Sequence, residues 1–177
     1  FAHDSATLAS LLPQLANSYD RLGDIRVRSA LLARAESLAV AGIEREQLPM
    51  LRCLQADNLR QEGKYPEAWE RLAAAEALLG TDSEPRTKAT CLGVRAWLRI
   101  EAPGEGPPDS SDTHGFLSAR RALAIMDSLG EASGASYLEL QLLLADALDA
   151  EGEHRSAVAE FRRLLATQER GRRGDTI

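Results

Sequence analysis

Chemistry at neutral pH needs a titratable or nucleophilic side chain held against a partner. The 3 histidines, the 2 cysteines and the carboxylates are therefore the first residues to weigh. His3 lies near the start of the chain, His114 in a Gly/Pro-rich segment, and His154 beside a turn glycine. None has a second histidine one helical turn away, and no His-Glu-x-x-His sequence occurs, so one helix face offers no pair of imidazoles to a metal. His154 stands after Gly152 as Tyr65 stands after Gly63, which predicts a packing role for it. No serine sits in a nucleophile-elbow pattern. Gly104-Glu105-Gly106 has neither a strand before it nor Gly-Lys-Ser/Thr after it, so it does not read as a phosphate loop. The carboxylates are spread as on solvated helix faces. The expectation is a non-enzymatic protein with no catalytic residue, no cofactor and no metal. Cys53 and Cys91 fall in separate helices and read as small buried hydrophobes of a reducing cytoplasm, a single bridge being the other option.

The elements that carry these residues are helical. Aromatic residues are only 5% of the chain, and Ala and Leu dominate, which favours helices packed through small and branched side chains over a sheet. Eight apolar stripes recur at spacings of three and four. The first joins Leu8, Leu11, Leu12, Leu15, Tyr19 and Leu22; the last joins Val158, Phe161 and Leu165. Gly23, Gly63 and Gly152 sit between stripes, where a helix can end on a left-handed residue. Thr81 to Ser83 before Pro85 read as a helix start, and Ser136 with Glu139 as a capping box. Pro49 fits a first turn, whereas Pro13 either kinks its helix or marks a later start. Residues 102–114 are too rich in Gly and Pro for regular structure and predict a mobile surface loop, and the tail from Arg170 reads as frayed and basic.

Aligned on those glycines, the segments repeat. Leu15, Ala16, Tyr19, Leu32 and Ala35 flank Gly23; Ala56, Leu59, Tyr65, Ala68, Leu72 and Ala75 flank Gly63; Ala145, Leu148, His154, Ala157 and Phe161 flank Gly152. A degenerate unit uses Leu92, Gly93 and Ala96, then Ala119, Leu123 and Met126 after the loop. The pattern resembles the tetratricopeptide repeat family, best at Gly63-Lys64-Tyr65-Pro66-Glu67-Ala68-Trp69. Its period of 40 residues between Gly23 and Gly63 is closer to the longer versions seen in kinesin light chains and bacterial signalling regulators. Arg28 replaces the expected small residue in the first unit, and Ile100 stands where the third should have its glycine. The resemblance implies an all-α fold, a right-handed superhelical stack of about four antiparallel helix pairs. These would form one domain of units 5–42, 44–80, 84–130 (with the inserted loop 102–114) and 134–170, plus a flexible tail at 171–177.

Such a stack lines a concave groove with the first helix of each pair. Projected onto this chain, the groove residues are Asn17, Asp20, Arg21, Asp57, Arg60, Gln61, Trp97, Glu139, Asp146 and Asp149, with one acidic end. The Lys, Asn and Arg clamp of chaperone-binding relatives is missing, since Pro13, Met50, Cys53 and Leu54 occupy most of its places. The expected partner is a protein segment with basic and apolar residues. A net charge of -6 argues against nucleic acid, and no apolar run reaches the roughly 20 residues that span a bilayer. The chain opens on Phe1 and reads as a piece of a longer protein, so a peptide- or effector-sensing segment of a transcription regulator or Ser/Thr kinase is the alternative. Weak self-association through an exposed terminal helix pair is a further one.

Overall fold

Glycine at a helix end decides how this chain turns. Gly63 has φ +72°, its N–H donates to the Arg60 carbonyl, and the Lys64 N–H reaches back to the carbonyl of Leu59. Those two bonds satisfy carbonyls that the helix end would otherwise leave open. The same pair of bonds closes on Gly23 (to Asp20 and Tyr19) and on Gly152 (to Asp149 and Leu148). Three helix hairpins thus share one turn, as the glycine alignment predicts.

The computed structural model describes residues 2–108, 112–131 and 135–174. Among them are eight α-helices, one short 3-10 turn (Arg45–Gln47) and no strand. The helices are α1 (Ala2–Arg21), α2 (Ile25–Val40), α3 (Leu48–Gln61), α4 (Tyr65–Glu76), α5 (Pro85–Glu101), α6 (Phe116–Ser128), α7 (Ala135–Ala150) and α8 (His154–Gly174). The all-α class is therefore observed. The chain divides into two compact units, Phe1–Ser83 with α1 to α4 and Glu84–Ile177 with α5 to α8.

In the first unit each helix packs on the next, α1 on α2, α2 on α3 and α3 on α4. Its core joins Leu12, Ala16, Leu32, Ala35, Leu48 and Leu51. The buried face of α1 is Ala9, Leu12 and Ala16, rather than the leucine stripe read from the sequence. Small residues let two helices approach closely, so alanine takes the seam; Leu8, Leu11, Leu15 and Leu22 are left exposed, Leu22 at 77%. In the second unit α5 packs on α6, α6 on α7, α7 on α8, and α5 also on α7. Gly93 lies at that last contact: a Cβ there would stand 3.0 Å from Leu140 Cδ2, which would have to shift slightly.

Several local readings are corrected. α1 runs through Pro13 without a later start, leaving the Ala9 carbonyl without its usual donor, while Pro49 sits in the first turn of α3 as expected. α5 starts at Pro85 as expected, with Glu84 as its N-cap, and the Ser83 hydroxyl accepts from the Gly80 N–H at 2.8 Å. Ser136 lies inside α7, too late to cap it. α8 continues through Arg170, Arg172 and Arg173 to Gly174, so the frayed tail is helical up to there. Residues 109–111, 132–134 and 175–177, which include Asp109, Ser110 and Ser111 of the loop, lie outside the described residues.

The described parts of the 102–114 loop, residues 102–108 and 112–114, are anchored rather than loose. Buried Asp112 accepts from the backbone N–H of Leu117 (2.8 Å) and Ser118 (3.1 Å) and from the Ser118 hydroxyl, so it satisfies the open N–H groups that begin α6. The buried guanidinium of Arg99 donates to the Pro107 carbonyl, and His114 Nδ1 lies 3.0 Å from Glu151 Oε1. A Gly/Pro-rich composition excludes regular structure, but it does not exclude fixed polar anchors.

Candidate functional site

Four of the expected groove residues gather at one place in the first unit, and the residue that gathers them is Arg28. Its side chain, on α2, is 1% exposed. Nη2 donates to Asp57 Oδ2 at 2.8 Å, and Nη1 pairs with Asp20 Oδ1 at 2.9 Å, outside hydrogen-bond alignment. Arg60 donates through Nε to Asp57 Oδ1 at 3.0 Å, and Gln61 Nε2 donates to both Asp20 Oδ1 (3.2 Å) and Asp57 Oδ2 (3.1 Å). Two arginines thus meet two aspartates across α1, α2 and α3. The ion pairs close on each other, so these four residues present a neutral, internally bonded end to any partner. Asn17 and Arg21 lie exposed on α1 nearby in sequence.

A second network stitches the same unit. The Glu36 carboxylate of α2 accepts from Arg52 Nε (3.1 Å), Gln55 Nε2 (3.1 Å) and Arg71 Nη2 (2.7 Å), tying α2 to α3 and α4. Sequence reasoning passed over Glu36 because a glutamate on a helix carries no mark of its partners.

In the second unit the expected residues separate. Trp97 packs half-buried against the core that contains Leu140, Leu143 and Leu144, as a packing residue would. Glu139, Asp146 and Asp149 share one face of α7. Burial, and then the Asp149 charge, hold the Asp146 carboxyl above its ordinary range. Asp149 Oδ1 lies 2.7 Å from His154 Nδ1, and the imidazole is 73% exposed, so His154 lies open at the turn instead of packing as Tyr65 led us to expect. Trp69 of α4 is buried, in keeping with inter-helix packing.

A different stripe of α7 builds the better site. Tyr137, Gln141, Leu144 and Leu148 recur every three or four residues and face a cleft of about 520 Å³. Phe116, Arg120, Leu123, Ala124 and Asp127 line it from α6, and Ser156, Glu160 and Arg163 from α8. Leu123, Leu144 and Leu148 form an apolar floor. On the walls Glu160 pairs with Arg163 at 2.6 Å, and the Arg120 guanidinium lies 6.0 Å from the Phe116 ring centroid. Gln141 is buried, and its carboxamide oxygen has no hydrogen-bond partner. The periodicity of α7 was visible in the sequence, but nothing there tells a cleft stripe from a core stripe.

Burial, then a hydrogen bond to Asp127 and the charges of Asp127 and Glu160, push the Tyr137 phenol up to about 12 from 10.0. With the folded value above the unfolded one, the folded state holds the proton longer as pH rises. This contribution to stability is complete below pH 10 and is lost as pH climbs toward about 12. In a Tyr19→Phe, Tyr65→Phe background, phenolate absorbance should show Tyr137 titrating near 12, and Asp127→Asn should move it down toward 10. An unshifted midpoint in the protein that keeps Tyr137 would overturn the partial burial of this phenol beside Asp127.

Among the described residues, no three or more His, Cys, Asp or Glu side chains group as a metal site, and no helix is long and apolar enough to cross a membrane. Both cysteines are buried, and neither is a free thiol, which corrects the free-thiol reading of the sequence. No protein-family model and no curated relative matches this chain.

Proposed function

We propose that this chain is a non-enzymatic, tetratricopeptide-type interaction module that binds a peptide segment of a partner protein. The observation that carries the reading is the cleft of about 520 Å³ between α6, α7 and α8, with an apolar floor and polar walls that can take side chains of a partner. Three hairpins closed by the same glycine turn support the repeat assignment. The first unit contributes less to recognition, because Asp20, Asp57, Arg60 and Gln61 are already bonded to one another through Arg28. Disulfide-bonded cysteines persist mainly in oxidising compartments, which favours such a compartment over the cytoplasm expected from the sequence.

Ala124 is exposed on the cleft wall, so Ala124→Arg fills the cleft while leaving the core intact. Random peptides displayed on phage and panned against the whole chain should yield binders that lose at least about tenfold in affinity, roughly 1.4 kcal/mol, to this variant. Binders indifferent to Ala124→Arg would place recognition elsewhere and overturn the cleft reading.

A further inference from the structure

The cleft also carries a chemical preference, and the inference rests on its being the peptide site proposed above. Most of its polar groups are already matched, Glu160 by Arg163 and Arg120 by the face of Phe116. Two are not. Gln141 is only 8% exposed, yet its carboxamide oxygen has no hydrogen-bond partner, and buried acceptors of that kind are rare in folded proteins. Asp127, on the wall beside Tyr137, forms no ion pair with a described residue. One carboxylate and one neutral acceptor are thus left over beside Leu123, Leu144 and Leu148.

We propose that the cleft takes a lysine side chain of the partner peptide, its methylene stem lying on the leucines and its ammonium donating to Asp127 and Gln141. The Gln141 oxygen is itself buried, so it meets the ammonium after a half-turn of the carboxamide about its last torsion, which exchanges oxygen and nitrogen within the volume the group already fills. Lysine suits this pair better than arginine. Its compact head can serve two separate acceptors, whereas the planar guanidinium fork is made for both oxygens of one carboxylate. Here the two acceptors stand on different helices, Asp127 on α6 and Gln141 on α7.

The test uses the whole chain and the peptides that Ala124→Arg blocks. Each is synthesised with lysine and with norleucine at the conserved basic position, and binding is measured by calorimetry. Norleucine should weaken binding about tenfold, and Asp127→Asn and Gln141→Leu should each weaken the lysine peptide while leaving the norleucine peptide within about twofold. Gln141→Leu should not lower the melting temperature, since it replaces an unsatisfied buried amide by an apolar group of similar size, and this separates a binding role from a structural one. Free 1,5-diaminopentane, carrying the same ammonium on an apolar stem, should displace the peptide only far above the peptide's own dissociation constant. Peptides that occupy the cleft with no dependence on lysine would overturn this inference and leave the cleft reading standing. Peptides that Ala124→Arg does not block would overturn both. Displacement by diaminopentane at concentrations comparable to the peptide would assign the site to a free amine instead.

Discussion

Arg28→Ala destabilises the first unit by about 3–5 kcal/mol, the range for breaking a buried ion pair from one side. The substitution removes the cation that lies between Asp20 and Asp57 and leaves two carboxylates facing each other; the Asp57 side chain is 16% exposed. It also deletes a fully buried side chain at the junction of α1, α2 and α3. Urea denaturation of the whole chain followed by circular dichroism measures the effect as a lower midpoint. Arg28→Met combined with Asp20→Asn and Asp57→Asn should recover much of the loss, because the charges then leave together and an apolar chain of similar length fills the space. A cost below about 1 kcal/mol for Arg28→Ala would mean that the network is ornamental, as many exposed ion pairs are.

Gly115→Ala has the second-largest expected effect, and it separates two roles of glycine. Gly115 precedes α6 with φ +77°, and a Cβ built on it would stand 2.6 Å from the backbone oxygen of Ala96 and 2.7 Å from its Cα. Those atoms belong to the α5 backbone and cannot swing aside. The left-handed conformation costs a residue with a Cβ about 1–2 kcal/mol, and forcing the backbones apart adds about 1–3 kcal/mol. Gly63→Ala and Gly152→Ala are the controls, since both have positive φ with nothing within 4 Å of the added carbon. They should lose only the conformational part. Equal losses at all three sites, measured by thermal unfolding, would show that α5 and α6 have room to separate.

Gly115 also accounts for a departure from the repeat pattern expected from the sequence. Ile100 stands where a turn glycine was expected, and α5 runs on to Glu101 without turning. The glycine that lets the next helix approach comes after the loop, where Asp112 then serves the first N–H groups of α6. Arg28 is the other departure. A long cationic side chain in a place meant for a small one reads as a blemish, yet it is fully buried and holds three helices through two carboxylates. Both mismatches mark places where an unusual residue has taken over the packing.

What the amino-acid order settled by itself was local. Spacings of three and four gave eight helices, and Gly23, Gly63 and Gly152 gave three of the tight turns, because helical period and left-handed backbone preference act within a few residues. The tertiary structure decided which stripe each helix buries. It chose Ala9, Leu12 and Ala16 over the flanking leucines of α1, drew Asp20, Asp57, Arg60 and Gln61 together around Arg28, and opened the Tyr137 and Gln141 face of α7 to a cleft. Those outcomes depend on how closely neighbouring helices approach and which charges then meet, and no single helix carries that information.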